Sequence, residues 1–371
     1  MRIGLETTWI NVLDGGGRYT NDVVRNLCTF FPEHRFFAIG PEPRQAHDYP
    51  NLTHVPFPDT VGLAARFAFT LRTAPVLKKL SLDLYHILVN FGVYNAPCPV
   101  VATVHDLLTL KYPELRARRV HGWLYRYYVP SLVKRADVVV ADSRSTEEDL
   151  RQLYGIQGRV ETVPLGYNKV LFSPEEHDDQ SVMNRYRLEP GYLLFVGNLI
   201  PKKNVEIIIR ALGRVRNRGL QPLESLRLVL AGRRGHDSDR LFRLVDELSL
   251  HDNVVELGYV PDDDLGALYR QAFLFLFPSK YEGFGLPVIE AMACGTPVLV
   301  SNAGPLPELV DDGRFQCSPE SAEDWAVKIV QFREDMDLYG EAKKWCLERA
   351  RLFSWERCVE HYMRIYQSLV H

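Results

Sequence analysis

Along the chain, short apolar runs without polar alternation are separated by glycine-rich turns and by stretches with helical spacing. Such runs are the mark of strands covered on both faces, as in parallel sheets. They predict strands at Arg2–Leu5, Arg35–Ile39, Leu52–Val55, Leu84–Ile87, Val100–Val104, Ala136–Ala141 and Arg159–Pro164. A second series runs through Tyr192–Val196, Leu226–Ala231, Val254–Leu257, Ala272–Phe277 and Pro297–Val300. Helical segments alternate with these strands, which gives an α/β chain of doubly wound sheets. Gly15, Gly16 and Gly17 read as a flexible turn leading into a helix over Tyr19–Cys28. Ser145 and Glu148 have capping-box spacing for a helix running through Leu153.

Between the two series lies Ser173–Gly191, polar, acidic and poor in apolar residues, the best candidate for a domain boundary. It sets an N-terminal domain over 1–174 and a C-terminal domain over 188–354, followed by a last helix in 355–371. A length of 371 residues is enough for two domains with separate cores. Hydrophobic content of 46% and charged content of 25% are those of a soluble globular protein. A net charge of −3 gives no case for a nucleic-acid partner. The six cysteines are scattered without a CxxC pair, which fits reduced thiols better than a disulfide framework or a metal site. Neither a signal peptide nor a spanning apolar run is evident, so the expected location is the cytoplasm. Residues 62–82 and 111–135 are basic and interleaved with aromatics. They read either as solvated faces or as a surface for peripheral contact with anionic lipid.

The chemistry concentrates in Tyr281–Pro297, YEGFGLPVIEAMACGTP, between the last two predicted strands. Pro287 suits a first helical position and Gly295 a helix stop, so this is the loop and short helix of a βαβ unit. Gly283 and Gly285 let the backbone approach a ligand closely, and the helix start supplies N–H groups for an anion. Glu282 precedes that anion site and Glu290 lies one turn into the helix. A carboxylate there does not bind phosphate, so each reads as an acceptor for hydroxyl groups. The plainer alternative makes Glu290 a helix-dipole residue and Glu282 a loop acid. Phosphate donors flanked by hydroxyl acceptors describe a nucleotide-sugar site.

Further polar residues stand at predicted strand ends, where open α/β sheets bind ligands. FVGNLIPKKN brings Gly197, Asn198, Lys202 and Lys203 to the end of Tyr192–Val196. A lysine fixed there stabilises a departing diphosphate as its charge grows; otherwise the pair is merely solvated. In AGRRG, Arg233 or Arg234 adds to the same field. GYVPD offers the backbone of Tyr259 and Val260 to a base edge. Asp262 either accepts from a guanine or caps the helix of PDDDLGALY. TVHDLL places His105 and Asp106 after Val100–Val104, with Asp106 orienting either His105 or the loop.

The string E-G-F-G-L-P-x-x-E-A-M-A-x-G-x-P-V, with two glutamates eight positions apart, resembles the signature of retaining GT-B glycosyltransferases of the family 4 group. FVGNLIPKKN resembles the G-T-x-E-P-R-K-N element of the family's mannosyl- and rhamnosyltransferases, with lysine at 202 where relatives often carry arginine. The resemblance covers nearly the whole chain, most strongly Tyr192–Leu309. It implies a GT-B fold, two Rossmann-like domains facing each other across a cleft, with the last helix returning to the first domain. His105, Lys203 and Glu282 become the catalytic residues. Donor contacts fall to Gly16, Gly17, Asn198, Lys202, Lys203, Tyr259, Val260, Asp262, Glu282, Gly283, Phe284, Gly285, Leu286 and Glu290. Within that set Glu282 takes the sugar hydroxyls, Glu290 the ribose, Lys203 and the amides of Phe284–Leu286 the diphosphate, and His105 the sugar.

The implied reaction transfers a sugar from a nucleoside diphosphate, GDP-mannose first, to a saccharide or lipid-linked saccharide hydroxyl with retention. UDP-glucose or UDP-N-acetylglucosamine is the alternative donor. No cofactor or metal is expected, because the DDD at 262–264 belongs to a helix start and not to a D-x-D motif. Two rivals remain. A nicotinamide enzyme lacks support, since neither first βα turn offers GxGxxG followed by an acid. A non-catalytic nucleotide-sugar binding protein would keep the donor residues without turnover.

Overall fold

The computed structural model describes residues 1–12, 15–43, 46–57, 73–89, 96–112, 129–156, 158–217 and 225–370. The chain forms two compact units: Met1–Gly166 with Ser354–His371, and Tyr167–Phe353.

In the first unit, seven parallel strands are ordered β3-β2-β1-β4-β5-β6-β7. They are β1 (Arg2–Glu6), β2 (Arg35–Gly40), β3 (Leu52–Pro56), β4 (Leu84–Ile87), β5 (Val100–Val104), β6 (Val138–Ala141) and β7 (Val160–Thr162). Every residue of β4, β5 and β6 is buried, which is why their sequences lack alternation. The edge strand β3 is only partly covered. The strand order reverses between β1 and β4, the kind of point beside which open α/β sheets bind their ligands. The helix Trp355–Gln367 packs on the helix Gly15–Phe30, burying Trp355, Cys358, Val359, Tyr362, Met363, Ile365 and Tyr366. Its start is fixed by Ser354, whose hydroxyl accepts from the Arg357 N–H at 3.2 Å.

In the second unit, six parallel strands are ordered β10-β9-β8-β11-β12-β13. They are β8 (Tyr192–Val196), β9 (Leu228–Ala231), β10 (Val254–Gly258), β11 (Ala272–Phe277), β12 (Val298–Ser301) and β13 (Gln316–Cys317). Here the order reverses between β8 and β11, both fully buried. The polar stretch Ser173–Gly191 carries the helix Asp179–Tyr186, held against the helix Asp262–Gln271 by two ion pairs. Arg185 Nη1 donates to both oxygens of Asp264 at 2.7 and 2.8 Å, and Tyr186 adds a third bond at 2.8 Å. Arg270 grips Asp179 through Nε at 2.9 Å and Nη2 at 2.5 Å, with both side chains nearly out of solvent.

All of the strands expected from the apolar runs form; among the described residues only the two-residue β13 escapes that reading. Several local expectations are corrected. The triple glycine is not a turn before a helix, because the helix begins at Gly15. A Cβ on Gly17 would overlap the carbonyl of Val12, so the glycine serves a close backbone approach. The helix after β6 is capped by Ser143, whose hydroxyl accepts from Thr146 N–H at 3.2 Å, and not by Ser145. Pro261 is the N-cap of the helix Asp262–Gln271, so Asp262 is its first residue and not its cap. The basic segments 62–82 and 111–135 fall largely in residues 58–72 and 113–128, outside the described residues. Among the described residues no helix is long and apolar enough to cross a membrane.

Breaking a buried ion pair from one side strands the other charge and costs about 3 kcal/mol or more. Asp179→Ala is therefore expected to lower the unfolding free energy of the second unit by about 3 kcal/mol. Urea unfolding followed by tryptophan fluorescence and circular dichroism measures it. A loss below about 0.5 kcal/mol, the size of an ordinary surface substitution, would show that Arg270 finds other compensation.

Candidate active site

In the second unit, the reversal of strand order brings the segments after β8 and β11 side by side. After β8 the chain passes Gly197 and Asn198 and closes a short 3-10 turn over Pro201–Lys203. Asn204 ends it in the left-handed region, at φ 53°, with its side-chain amide donating to the Pro319 carbonyl at 2.9 Å. The Lys280 N–H donates to the Lys202 carbonyl at 2.9 Å and ties the turn to the segment leaving β11. Lys203 Nζ then lies 2.7 Å from Glu282 Oε1, and Lys202 Nζ lies 3.7 Å from Oε2. The Lys203 ammonium also stands 4.6 Å from the centre of the Phe277 ring.

Glu282 is buried. Burial pushes its carboxyl up, but Lys203, then Lys202, and hydrogen bonds from Lys203 and Ser279 outweigh it and hold the group below its ordinary value. Two lysines on one carboxylate leave an excess of positive charge among these three side chains. Gly285 follows at φ 124° and caps the helix Leu286–Ala293. A Cβ there would come within 2.9 Å of Leu309 Cδ1, so the bend needs glycine on both counts. Phe284 is buried, its ring edge-on to Phe353 at 6.0 Å. Glu290 is 1% exposed and accepts from the Tyr269 hydroxyl at 3.1 Å.

Along the other side of β8, the ends of β9 and β10 carry the remaining expected residues. Tyr259 is 49% exposed with the Arg233 guanidinium 4.7 Å over its ring, whereas Val260 is buried. Arg234 is turned to Glu256, with bonds of 2.8 and 2.7 Å. Asp262 is half-buried at the first position of its helix.

In the first unit, β5 and β6 run in register with Val104 beside Ala141. The next residues, His105 and Asp142, therefore emerge side by side, with His105 Nδ1 2.7 Å from Asp142 Oδ2. His105 Nε2 lies 2.9 Å from the Leu88 carbonyl after β4. Tyr19 from the first helix meets the imidazole edge-on at 4.4 Å. Behind it runs a buried polar chain: the Tyr19 hydroxyl contacts Tyr362 at 2.7 Å and Thr103 at 3.1 Å. His86 bridges Thr103 at 2.8 Å and Tyr366 at 2.5 Å. Asp106 accepts from the Leu108 N–H at 3.3 Å and so holds the loop, and its charge also acts on His105. The orienting partner is Asp142, which the sequence reading missed. The signal was present, since Asp142 ends an apolar strand just as His105 does. Gly16 and Gly17 lie in the first turn of the helix Gly15–Phe30.

Fold and strand-end residues together define a glycosyltransferase of GT-B type. The chain belongs to the glycosyl transferases group 1 family, whose profile matches residues 158–349, and residues 13–169 match glycosyltransferase family 4. It is 32% identical over 284 residues to the O-antigen chain mannosyltransferase B of Escherichia coli, covering 76% of this chain and 73% of that one. It is 30% identical over 298 residues to the E. coli serotype-specific mannosyltransferase WbdA, but the match spans only 35% of that longer protein. A D-inositol 3-phosphate glycosyltransferase of Salinispora arenicola is 33% identical over 73% of this chain and 64% of its own. Among solved structures, sucrose-phosphate synthase from Thermosynechococcus elongatus superposes with a TM-score of 0.77 at 22% identity, covering 100% of this chain and 99% of that one. Anabaena Alr3699/HepE in complex with UDP and glucose gives 0.76 at 19% identity, with both chains covered in full at 100%. At those identities the likeness concerns the fold.

The Glu282 ion pair has a defined pH signature. A carboxyl whose folded pKa is depressed contributes stability that is present above its unfolded pKa, about 4.3, and lost as pH falls through the folded value. Glu282→Gln is expected to destabilise the second unit by about 3 kcal/mol at pH 7, and the difference from wild type should shrink below about pH 4. Urea titrations at pH 7, 5 and 3.5 test this; a difference that stays constant with pH would mean that the carboxylate charge is not what stabilises the turn.

Proposed function

We propose that the protein transfers mannose from GDP-mannose to a hydroxyl of a saccharide or lipid-linked saccharide, with retention at the anomeric carbon and without a metal. The observation that carries the reading is the Lys203–Glu282 contact at the strand-order reversal of the second unit. It joins a cation suited to diphosphate with a carboxylate suited to sugar hydroxyls. A diphosphate brought to Lys203 and to the Phe284–Leu286 amides repels Glu282, which is then directed to the sugar. Glu290, held by Tyr269, takes the ribose. Tyr259, Val260 and Asp262 face the base, with Asn198 and Lys202 beside the phosphates. In the first unit Gly16 and Gly17 accompany the donor and His105 serves the sugar. The names of the E. coli relatives support mannose.

In the transfer step the anomeric carbon–phosphate oxygen bond breaks and its electron pair goes to the phosphate. The acceptor oxygen bonds the same face of the carbon and gives its proton to the departing phosphate. Lys203 and the helix N-terminus neutralise the leaving group, the charge that a metal supplies elsewhere. A lipid-linked acceptor would engage the basic-aromatic residues 62–82 and 111–135 at a membrane surface. A UDP-sugar is the second reading of the donor, favoured by the fold neighbour solved with UDP and glucose.

A thermal-shift panel of GDP, UDP, dTDP and ADP, with GDP-mannose and UDP-glucose alongside, tests the donor. GDP compounds are expected to raise the midpoint; stabilisation by UDP compounds alone would replace the donor and keep the enzyme class. Lys203→Ala is expected to reduce GDP release from GDP-mannose by about 100- to 1,000-fold. Equal release by wild type and variant would remove Lys203 from the mechanism.

A further inference from the structure

Both ring nitrogens of His105 face acceptors: the Asp142 carboxylate at 2.7 Å and the Leu88 carbonyl at 2.9 Å. An imidazole meets two acceptors with two N–H donors only when it is protonated. Neither N–H is then available to shuttle a proton, and what the ring presents is charge. Asp142 is buried, among the described residues its Oδ1 has no hydrogen-bond partner, and its Oδ2 pairs with His105. We infer that Asp142 is a positioning residue that keeps His105 a fixed imidazolium, making it an electrostatic element of the transfer reaction and not an acid–base catalyst. The inference rests on the proposed function for its link to transfer, though not for the charge itself.

The surroundings of the ring agree. Burial pushes His105 down, but the Asp142 charge and hydrogen bond, the Leu88 carbonyl and Asp106 together raise it above its ordinary value. On β4, His86 is driven down to about 3 by burial and by the His105 charge, so it is neutral and adds no repulsion. Tyr19 from the first helix contributes a ring edge and a hydroxyl engaged with Tyr362 and Thr103. From the last helix, Cys358 and Tyr362 are neutral, both raised far above their ordinary values by burial. Asp142 and Asp106 are the charged groups that raise His105. A raised histidine holds its charge below its folded pKa and loses it as pH rises through that value. Replacing Asp142 by the isosteric Asn removes the main support, and burial then favours the neutral ring at neutral pH.

The test has two arms. Long-range 1H–15N correlation spectra, assigned with His105→Gln, should show a doubly protonated His105 in the wild type at pH 7.5 and a neutral one in Asp142→Asn. A neutral wild-type ring, or an unchanged ring in the variant, would overturn the inference. In the second arm, GDP release from GDP-mannose by Asp142→Asn should fall about 10- to 100-fold at pH 8 and recover most of that loss at pH 6. A loss equal at both pH values would mean a merely structural role and would overturn it too. If the wild type releases no nucleotide from any donor, the proposed function fails, while the spectra still decide the charge of His105.

Discussion

Neighbouring parallel strands end side by side on the same rim, and both polar clusters of this protein depend on that constraint. In the first unit the register of Val104 with Ala141 delivers His105 and Asp142 together. In the second, the order reversal between β8 and β11 delivers Lys203 and Glu282 from segments far apart in sequence. No long loop has to be organised for either pairing. The strands themselves are held by apolar residues buried on both faces, so the geometry of the polar rim is inherited from the core.

Three buried acids each stand beside a basic partner. Glu282 is buried beside two lysines, Asp142 beside an imidazolium, and Asp179 beside Arg270. A buried charge without such a partner would neutralise itself by a pKa shift. The partners hold the Glu282 and Asp179 carboxyls below their ordinary values, whereas burial leaves Asp142 above its own. Each basic partner is fixed by backbone bonds: Lys202 through Lys280, His105 through Leu88, the Arg270 side chain through the Ser173 carbonyl. The lysine turn carries more positive charge than Glu282 cancels, which suits an anionic ligand. The histidine pair is balanced, which suits a cation held still.

Most of the framework was legible in the sequence because unalternating apolar runs have few other uses. β13 was not, since two residues carry no pattern. The helix beginning at Gly15 was not, because glycine disfavours helices and only the approach of Gly17 to the Val12 carbonyl explains it. Lys203 and His105 were legible as candidates from their places at strand ends, and Glu282 from the glycine-rich loop it opens. Their pairings were not, because a pairing depends on register and on strand order, neither of which one strand reveals. Asp142 shows the difference: its position was as visible as that of His105, but its meaning required knowing that β5 and β6 are neighbours.

The order of the chain bears on how the protein is made. Residues Tyr167–Phe353 form the second unit without interruption, whereas the first unit needs both Met1–Gly166 and Ser354–His371. The two pieces meet so tightly at Gly166 and Trp355 that no side chain fits at 166. Tyr362 and Tyr366, which complete the polar chain behind Tyr19 and His86, follow the whole second unit in the chain. On the ribosome, then, the later domain is the first able to finish folding. The earlier one waits, its sheet lacking a helix, until Trp355–Gln367 has followed.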